Sequence, residues 1–210
     1  ENCGVTDADA LARMMKEDAQ AACFYVQQPN YFGNMEDGDG LGRIVHDAGA
    51  KYIMGCNPMA LGIMKTPAGY GADIAVGDGQ PLGMPLAFGG PYLGFMAATA
   101  AMARKLPGRI VGETKDVDGR RAYVLTLQAR EQHIRREKAS SNVCSNQALC
   151  ALTASVYMAA MGADGLRKTA VLCTSKAHYL KEQLEQAGLT ARYDREFFHE
   201  FVTESDTDSG

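Results

Sequence analysis

The order of the apolar segments limits what this chain can fold into more than any other feature. Two short apolar runs, KYIMGC (51–56) and ADIAVGD (72–78), follow a run of strand-forming residues, AACFYV. Between AACFYV and KYIMGC lies a segment in which Leu41, Ile44 and Val45 share one helical face. Strands that are apolar along their whole length and alternate with helices are typical of a parallel sheet covered on both faces. The sequence therefore predicts an α/β fold.

The pattern changes in the second half of the chain. Residues 108–127 alternate between apolar and polar and turn at DVDG, which predicts a β-hairpin. A nearly all-apolar helix ending at Gly162 follows, and TARYD and FHEFV are predicted to be strands of a smaller α/β unit. We therefore assign residues 1–140 to a larger α/β domain. Residues 141–210 are assigned to a linking helix and the start of a smaller carboxyl-terminal domain.

Composition favours a soluble globular protein from a reducing compartment. The hydrophobic content is 46%, the net charge is −4, and no uninterrupted run of about 18 apolar residues predicts a membrane span. None of the six cysteines forms a Cys-x-x-Cys pair, so we predict no metal site. Most of them have apolar neighbours, as in AACFYV and ALCALTA, so we predict buried, reduced thiols. We expect a cytoplasmic protein. The absent initiator methionine and the polar end of the chain suggest a piece of a longer protein.

The charge is unevenly distributed. Residues 104–138 contain ten basic and five acidic side chains, although the whole chain is acidic. A basic segment on an acidic protein suggests a local anionic partner rather than a nucleic-acid coat. A solvated hairpin of mixed charge is an equally open interpretation.

The glycine-rich turn after the third apolar run lacks the usual catalytic side chains. Between Ala72 and Ala103 there is no Lys, Arg, His, Cys, Ser or Glu, and the only ionisable side chains are Asp73, Asp78 and Tyr92. The order of residues elsewhere in the chain indicates no Ser-His-Asp or Cys-His arrangement. The sequence therefore predicts no catalytic residue.

Two segments carry a resemblance to a known family. GDGQPLGMPLAFGGPYLGF and the later RKLPGRIVGETKDVDGRRAYVLTLQAREQHIRREKASSNVCSNQAL are similar to the amino-terminal half of the P-protein of the glycine cleavage system. The similarity extends from about Ala21 to Val202. It implies the three-layer α/β fold of aspartate aminotransferase-like, fold type I, pyridoxal phosphate (PLP) enzymes. The chain would hold the second half of the large domain and the start of the small one.

The resemblance also implies an activity and its partners. The family decarboxylates glycine on PLP and passes the aminomethyl group to the lipoyl arm of the H-protein. In some bacteria the P-protein is split in two, and this chain resembles the first subunit. PLP would then be held by the partner, which is subunit 2 or the carboxyl-terminal half of a fused chain. Neither a nucleic acid nor a membrane is expected as a partner.

Two positions suggest that this half has lost its cofactor chemistry. Gln80 stands where the PLP-binding half has its lysine, and an amide cannot form a Schiff base. Met54 stands where that half has the aspartate that pairs with the pyridinium nitrogen. The resemblance thus implies a pseudo-active site at Gln80 and Met54. The alternative for Gln80 is simple packing at the junction of strand and turn.

The basic segment is expected to face the catalytic partner, because loops of one subunit reach the other subunit's cofactor in PLP enzymes of this fold. Gly89 and Gly90 are expected to let the backbone pass closely beneath the partner's site. A purely structural interface is the alternative. The residues expected to face the partner or an anion are Arg130, His133, Arg135, Arg136, Lys138, Ser141 and Asn142.

Two other functions remain open at this point. The chain could belong to an independently active PLP-dependent decarboxylase or aminotransferase, but residues 73–85, where that lysine belongs, contain none. It could instead be a non-enzymatic binder of anions or nucleic acid. The overall acidity, and the scarcity of aromatic residues among the basic ones, disfavour that interpretation.

Overall fold

The computed structural model describes residues 3–126, 132–139 and 146–205. The helices are α1 (Ala8–Glu17), α2 (Gly38–Asp47), the short α3 (Gln132–Arg135) and α4 (Ala148–Gln186). The strands are β1 (Cys23–Gln28), β2 (Lys51–Cys56), β3 (Ile74–Asp78), β4 (Gly94–Ala98), β5 (Ile110–Lys115), β6 (Arg121–Thr126), β7 (Thr190–Ala191) and β8 (Thr203–Glu204).

Contacts divide the chain into two compact units. One consists of Glu1–Ala97 with Leu149–Gly210, and the other of Ala98–Ala148. The predicted boundary between residues 140 and 141 concerns the domains of a longer protein, and it stays a prediction.

The first unit is built on a sheet in which the strands follow chain order, β1-β2-β3-β4. β1 pairs with β2 in parallel, with Gln27 opposite Gly55, and β2 pairs with β3 in parallel, with Met54 opposite Ala75. The apolar runs and the intervening α2 thus form the strand-helix-strand arrangement that the sequence predicts. Because these strands are parallel, their carboxyl ends lie along one edge of the sheet.

One face of the sheet is packed against helices. Leu11 of α1 and Leu41 and Val45 of α2 form a buried cluster with Val26 and Met54 of the strands. Tyr52 is fully buried in the same cluster, and its hydroxyl donates to the Gly38 carbonyl at 3.1 Å. Burial raises the pKa of Tyr52 far above its ordinary value, with a further contribution from the nearby Glu36 charge. Tyr52 is therefore a neutral core residue.

The opposite face has much less cover. Tyr25 and Gln27 project to it and are exposed, Tyr25 by 53% of its surface, and the neighbouring Ile53 is half-buried. Within the described ranges, α1 and α2 both pack on the face that carries Val26 and Met54.

Helix α4 is interrupted where the sequence predicts the end of a helix. Gly162 has φ 61° and ψ −179°, a conformation that glycine adopts without the steric cost a Cβ would bring. Beyond this break, Leu166, Ala170 and Cys173 pack with Met59 and Ala60, which lie in or next to a 3₁₀ turn that follows β2. The second limb of α4 is thereby fixed to the carboxyl-end side of the sheet.

Helix α4 is also long and apolar enough to cross a membrane, judged by length and composition alone. The sequence did not predict such a helix. The limb before Gly162, residues 148–161, is about 21 Å long at 1.5 Å per residue. That is less than the roughly 30 Å of a bilayer's hydrocarbon core. The limb after Gly162 carries several charged residues, among them Arg167, Lys168 and Lys176.

The carboxyl-terminal part differs from the prediction for FHEFV. This segment is not a strand; β8 begins after it, and β8 pairs with β7, with Thr190 opposite Glu204. Phe197 forms a single bridge to Asn34, and Phe198 is 2% exposed in the cluster around Met59. Phe198 is thus buried in a core cluster and is not part of a strand.

The second unit contains a hairpin at the place where the sequence alternates. β5 and β6 pair antiparallel, with Val111 opposite Leu125. In the turn, one carboxylate oxygen of Asp116 accepts from the N–H groups of Asp118 and Arg120, each at 2.9 Å. The turn is therefore held by local hydrogen bonds.

An ionic cluster at the amino-terminal edge of the sheet holds β2 to the start of β3. Asp73 accepts from Lys51 Nζ at 2.9 Å and from the Tyr52 N–H at 3.0 Å, and it lies 3.0 Å from His46 Nε2. Burial alone would raise the pKa of Asp73, but the hydrogen bonds outweigh it and lower the pKa to about 2. Asp73 is thus bound more strongly as the carboxylate than as the acid.

Replacing Asp73 with asparagine is expected to lower the free energy of unfolding by about 1–2 kcal/mol at pH 7. Because the folded-state pKa is depressed, this contribution is present above about pH 4 and is lost as the pH falls through 2. Urea unfolding at several pH values measures it. Asp118→Asn, which changes an exposed carboxylate in the hairpin turn, is the matched control and should have little effect. A wild-type advantage that is as large at pH 2 as at pH 7 would contradict the assignment.

Candidate functional site

A cavity of about 480 Å³ opens at the carboxyl ends of β1, β2 and β3. Parallel α/β sheets bind their ligands at this edge, where the strands end and the connecting loops begin. The cavity also reaches the less covered face of the sheet. It is lined by Tyr25, Gln27, Gly55, Cys56, Asn57, Val76, Gly77, Asp78, Gln80, Pro81, Leu86 and Tyr92.

Gln80 lines this cavity and also closes the turn after β3. Its side-chain NH₂ donates to the Met84 carbonyl at 2.8 Å, and its backbone N–H donates to Asp78 Oδ1 at 2.8 Å. Asp78 is the last residue of β3, so strand end, carboxylate and amide are joined in one short loop. The side chain of Gln80 therefore has a structural partner and still borders open space.

Met54 occupies a different place from Gln80. It is 1% exposed, lies in the cluster formed with Leu11 and Leu41, and does not line the cavity. The residues of this strand and its extension that reach the cavity are Gly55, Cys56 and Asn57. The structure thus brings Gln80 to the cavity but not Met54. The assignment of Met54 to the pyridinium position stays a prediction.

The chemistry of the lining does not fit a covalently held PLP. The twelve described residues of the lining include no lysine for a Schiff base, and no lysine, arginine or histidine for a phosphate group. Burial raises the pKa of the Cys56 thiol, which disfavours the reactive thiolate. What the cavity offers instead is a carboxylate, three side-chain amides and two phenol groups.

The two glycines singled out in the sequence have different surroundings. Gly89 has φ 90°, and a Cβ added there would meet no atom within 4 Å. A Cβ at Gly90 would lie 3.0 Å from the Ala87 carbonyl oxygen. Close backbone passage within this chain is therefore found at Gly90 and not at Gly89, and any role beneath a partner's site stays a prediction.

The basic segment is only partly described. Arg130, Ser141 and Asn142 lie outside the described residues. His133 and Arg135 lie in α3, and a 3₁₀ turn, Arg136–Lys138, follows directly. All of these side chains are exposed, and so is the apolar Ile134, by 55%. No group of three or more His, Cys, Asp or Glu side chains is placed to hold a metal ion in the part of the chain that the structure describes.

Sequence reasoning missed several polar groups of the site. Asp78 was noted only as an ionisable residue, and Tyr25 and Asn57 were not considered, although each lies at or next to the carboxyl end of a predicted strand. That position was the available signal.

A second polar cluster was missed because its members are far apart in sequence. Glu36, 9% exposed, accepts from the Thr6 N–H at 2.9 Å and from Asn30 Nδ2 at 2.8 Å. This carboxylate fixes the first described residues to the loop after β1.

Comparison with known proteins agrees with this architecture. The family model for the glycine cleavage system P-protein matches residues 2–210. A probable glycine dehydrogenase (decarboxylating) subunit 1 from Moorella thermoacetica is 54% identical over 203 residues, which is 96% of this chain and 45% of that protein. The same subunit from Chlorobium limicola is 49% identical over 203 residues, 96% of this chain and 45% of the relative. The chain thus spans less than half the length of these curated relatives.

Comparison with solved structures identifies the fold. A crystal structure of glycine decarboxylase (P-protein) of the glycine cleavage system, in inhibitor-bound form, matches with a TM-score of 0.86 and 46% identity, covering 90% of this chain and 44% of that one. An alanine–glyoxylate aminotransferase from Nostoc sp. matches with a TM-score of 0.60 and 18% identity, covering 98% of this chain and 52% of that one. At this identity the match is evidence for the fold alone. The predicted fold type I architecture is confirmed. On its match over residues 2–210, the chain belongs to the glycine cleavage system P-protein family.

Proposed function

We propose that this chain is part of a decarboxylating glycine dehydrogenase, of the subunit 1 type, that supports a catalytic partner and holds no PLP covalently. The whole protein would decarboxylate glycine and pass the aminomethyl group to the lipoyl arm of the H-protein. The observation that carries the proposal is the cavity at the strand ends, whose turn contains Gln80 and whose described lining residues include no lysine, arginine or histidine. The subunit 1 relatives, 54% and 49% identical, support it.

The proposal assigns PLP to the partner, which is subunit 2 or the carboxyl-terminal half of a fused P-protein. It also assigns the protein to the cytoplasm, in keeping with cysteines that need no oxidising compartment. An independently active decarboxylase or aminotransferase receives no support from the cavity, because such an enzyme needs an amine where Gln80 donates to Met84.

We further propose that the basic segment lies against the catalytic partner. Exposed arginines in α3 and the following turn present planar guanidinium groups suited to carboxylate or phosphate. The exposed Ile134 among them adds apolar surface of the kind that interfaces cover. On this view Arg135 and Arg136 help to complete the partner's site.

The location of the cofactor can be tested by reductive labelling. Incubating the assembled protein with PLP, reducing with borohydride and mapping pyridoxyl peptides should give a stoichiometric adduct on the partner alone. Residues of this chain should show at most scattered, substoichiometric labelling, because the turn at Gln80 has no amine.

The same labelling of this subunit without its partner is the matched control. It should give no stoichiometric adduct. A single lysine of this chain labelled to one equivalent, for example Lys51 or Lys65 near the sheet, would overturn the proposal.

A further inference from the structure

The cavity at Gln80 does not fit PLP, but its size and its polar side chains suit a different class of small ligand. Its volume of about 480 Å³ is within the range of small-molecule sites, roughly 300–1,000 Å³. Among the described residues that line it, Asp78 is the only carboxylate, and none is cationic. An anionic ligand would therefore have no charged partner in this lining, whereas a cationic ligand would have one.

The acceptor groups of the turn point to the same class of ligand. Because the Gln80 NH₂ donates to the Met84 carbonyl, its carbonyl oxygen Oε1 is left to accept, and it accepts no hydrogen bond from the described residues. Asp78 accepts the Gln80 N–H with Oδ1, and its second carboxylate oxygen likewise accepts no hydrogen bond from the described residues. An ammonium group, with three donors and no acceptor, matches this pair of acceptors.

Aromatic groups complete the lining. Tyr25 and Tyr92 line the cavity, and the Tyr92 hydroxyl accepts from the Ala87 N–H at 3.1 Å. Tyrosine faces attract cations electrostatically. Leu86, Pro81 and Val76 supply apolar surface for the body of a ligand.

We propose that this cavity binds a small organic amine in its protonated form, with the ammonium group between Asp78 and the Gln80 carbonyl oxygen and the apolar part against the tyrosines. A carboxylate on the same ligand would weaken binding, since it would meet Asp78 and no cationic side chain among the described lining residues. The proposal concerns this cavity alone and does not depend on the glycine activity of the whole protein.

Three compounds of similar shape test the proposal: isobutylamine, isobutanol and isobutyrate. Binding to the complete subunit is measured by isothermal titration calorimetry at pH 7, where isobutylamine is cationic. We expect isobutylamine to bind at least tenfold more tightly than the alcohol, and isobutyrate to bind most weakly.

Two variants test whether the amine binds at Asp78. Asp78→Asn keeps the oxygen that accepts from the Gln80 N–H but removes the charge, so affinity for isobutylamine should fall at least tenfold while affinity for isobutanol stays unchanged. Asp194→Asn, which alters an exposed carboxylate outside the cavity, should leave both unchanged. Equal affinity for all three compounds, no binding by any of them, or an unaltered preference in Asp78→Asn would overturn the proposal. None of these outcomes bears on where PLP is held, which the labelling experiment decides.

Discussion

Replacing Gly33 with alanine is expected to lower the free energy of unfolding by more than about 3 kcal/mol, since overpacking and left-handed backbone strain add. Gly33 is buried with φ 83°, and a Cβ added there would lie 1.9 Å from the carbonyl oxygen of Glu200. The segment that carries Glu200 cannot easily move away, because it is attached to the same loop by the hydrogen bond from the Met35 N–H to the Glu196 carbonyl, 2.9 Å. Urea unfolding, followed by circular dichroism, measures the change.

Gly49→Ala is the matched control, because it isolates the backbone strain. Gly49 has φ 77°, close to that of Gly33, but a Cβ added there would meet no atom within 4 Å. The control should therefore lower the free energy of unfolding only by the backbone strain, about 1–2 kcal/mol. Equal losses for both variants would show that the clash between the added Cβ and Glu200 costs nothing beyond the backbone strain.

Arg135→Ala is expected to lower glycine-dependent CO₂ release by the assembled protein at least tenfold, or to weaken assembly by the same factor. Truncating one member of a charge-assisted contact across an interface costs about 2–5 kcal/mol, and a tenfold change corresponds to about 1.4 kcal/mol. Arg135 ends α3, and its neighbour Ile134 is exposed by 55% in this chain. Turnover and the dissociation constant of the complex are both measured.

Arg120→Ala is the control for this prediction. Arg120 is also an exposed arginine of the second unit, with its guanidinium 3.9 Å from an Asp118 oxygen and 80% of its side chain exposed. Exposed pairs of this kind contribute about 0–1 kcal/mol, so the variant should assemble and turn over normally. If Arg135→Ala behaves like Arg120→Ala in both measurements, the segment is a solvated surface and not a partner contact.

The sheet could be predicted because its determinants are local. Continuous apolar runs such as KYIMGC indicate buried parallel strands, and Gly162 indicates a helix end; both were found. The segment around Phe198 could not be predicted in the same way. Its β-forming residues favour a strand, but burial of Phe198 against Met59, far away in sequence, decides its conformation.

The site was predictable only in part. That the turn contains Gln80 and no lysine can be read directly from the sequence, since it depends on single residues. The surroundings of Gln80 cannot, because Tyr25, Asn57 and Asp78 come together only when three strands are aligned. The Asp73 cluster was hidden for the same reason, as His46 and Lys51 lie 27 and 22 residues from it in the chain.

The thinly covered face of the sheet has a consequence for handling the protein. Tyr25 is exposed on that face, and β1 is an edge strand among the described strands of the sheet. Exposed edges and apolar sheet surface promote aggregation when nothing covers them. A recombinant piece limited to these residues should therefore express poorly in soluble form, and co-expression with the remainder of the protein should improve its yield.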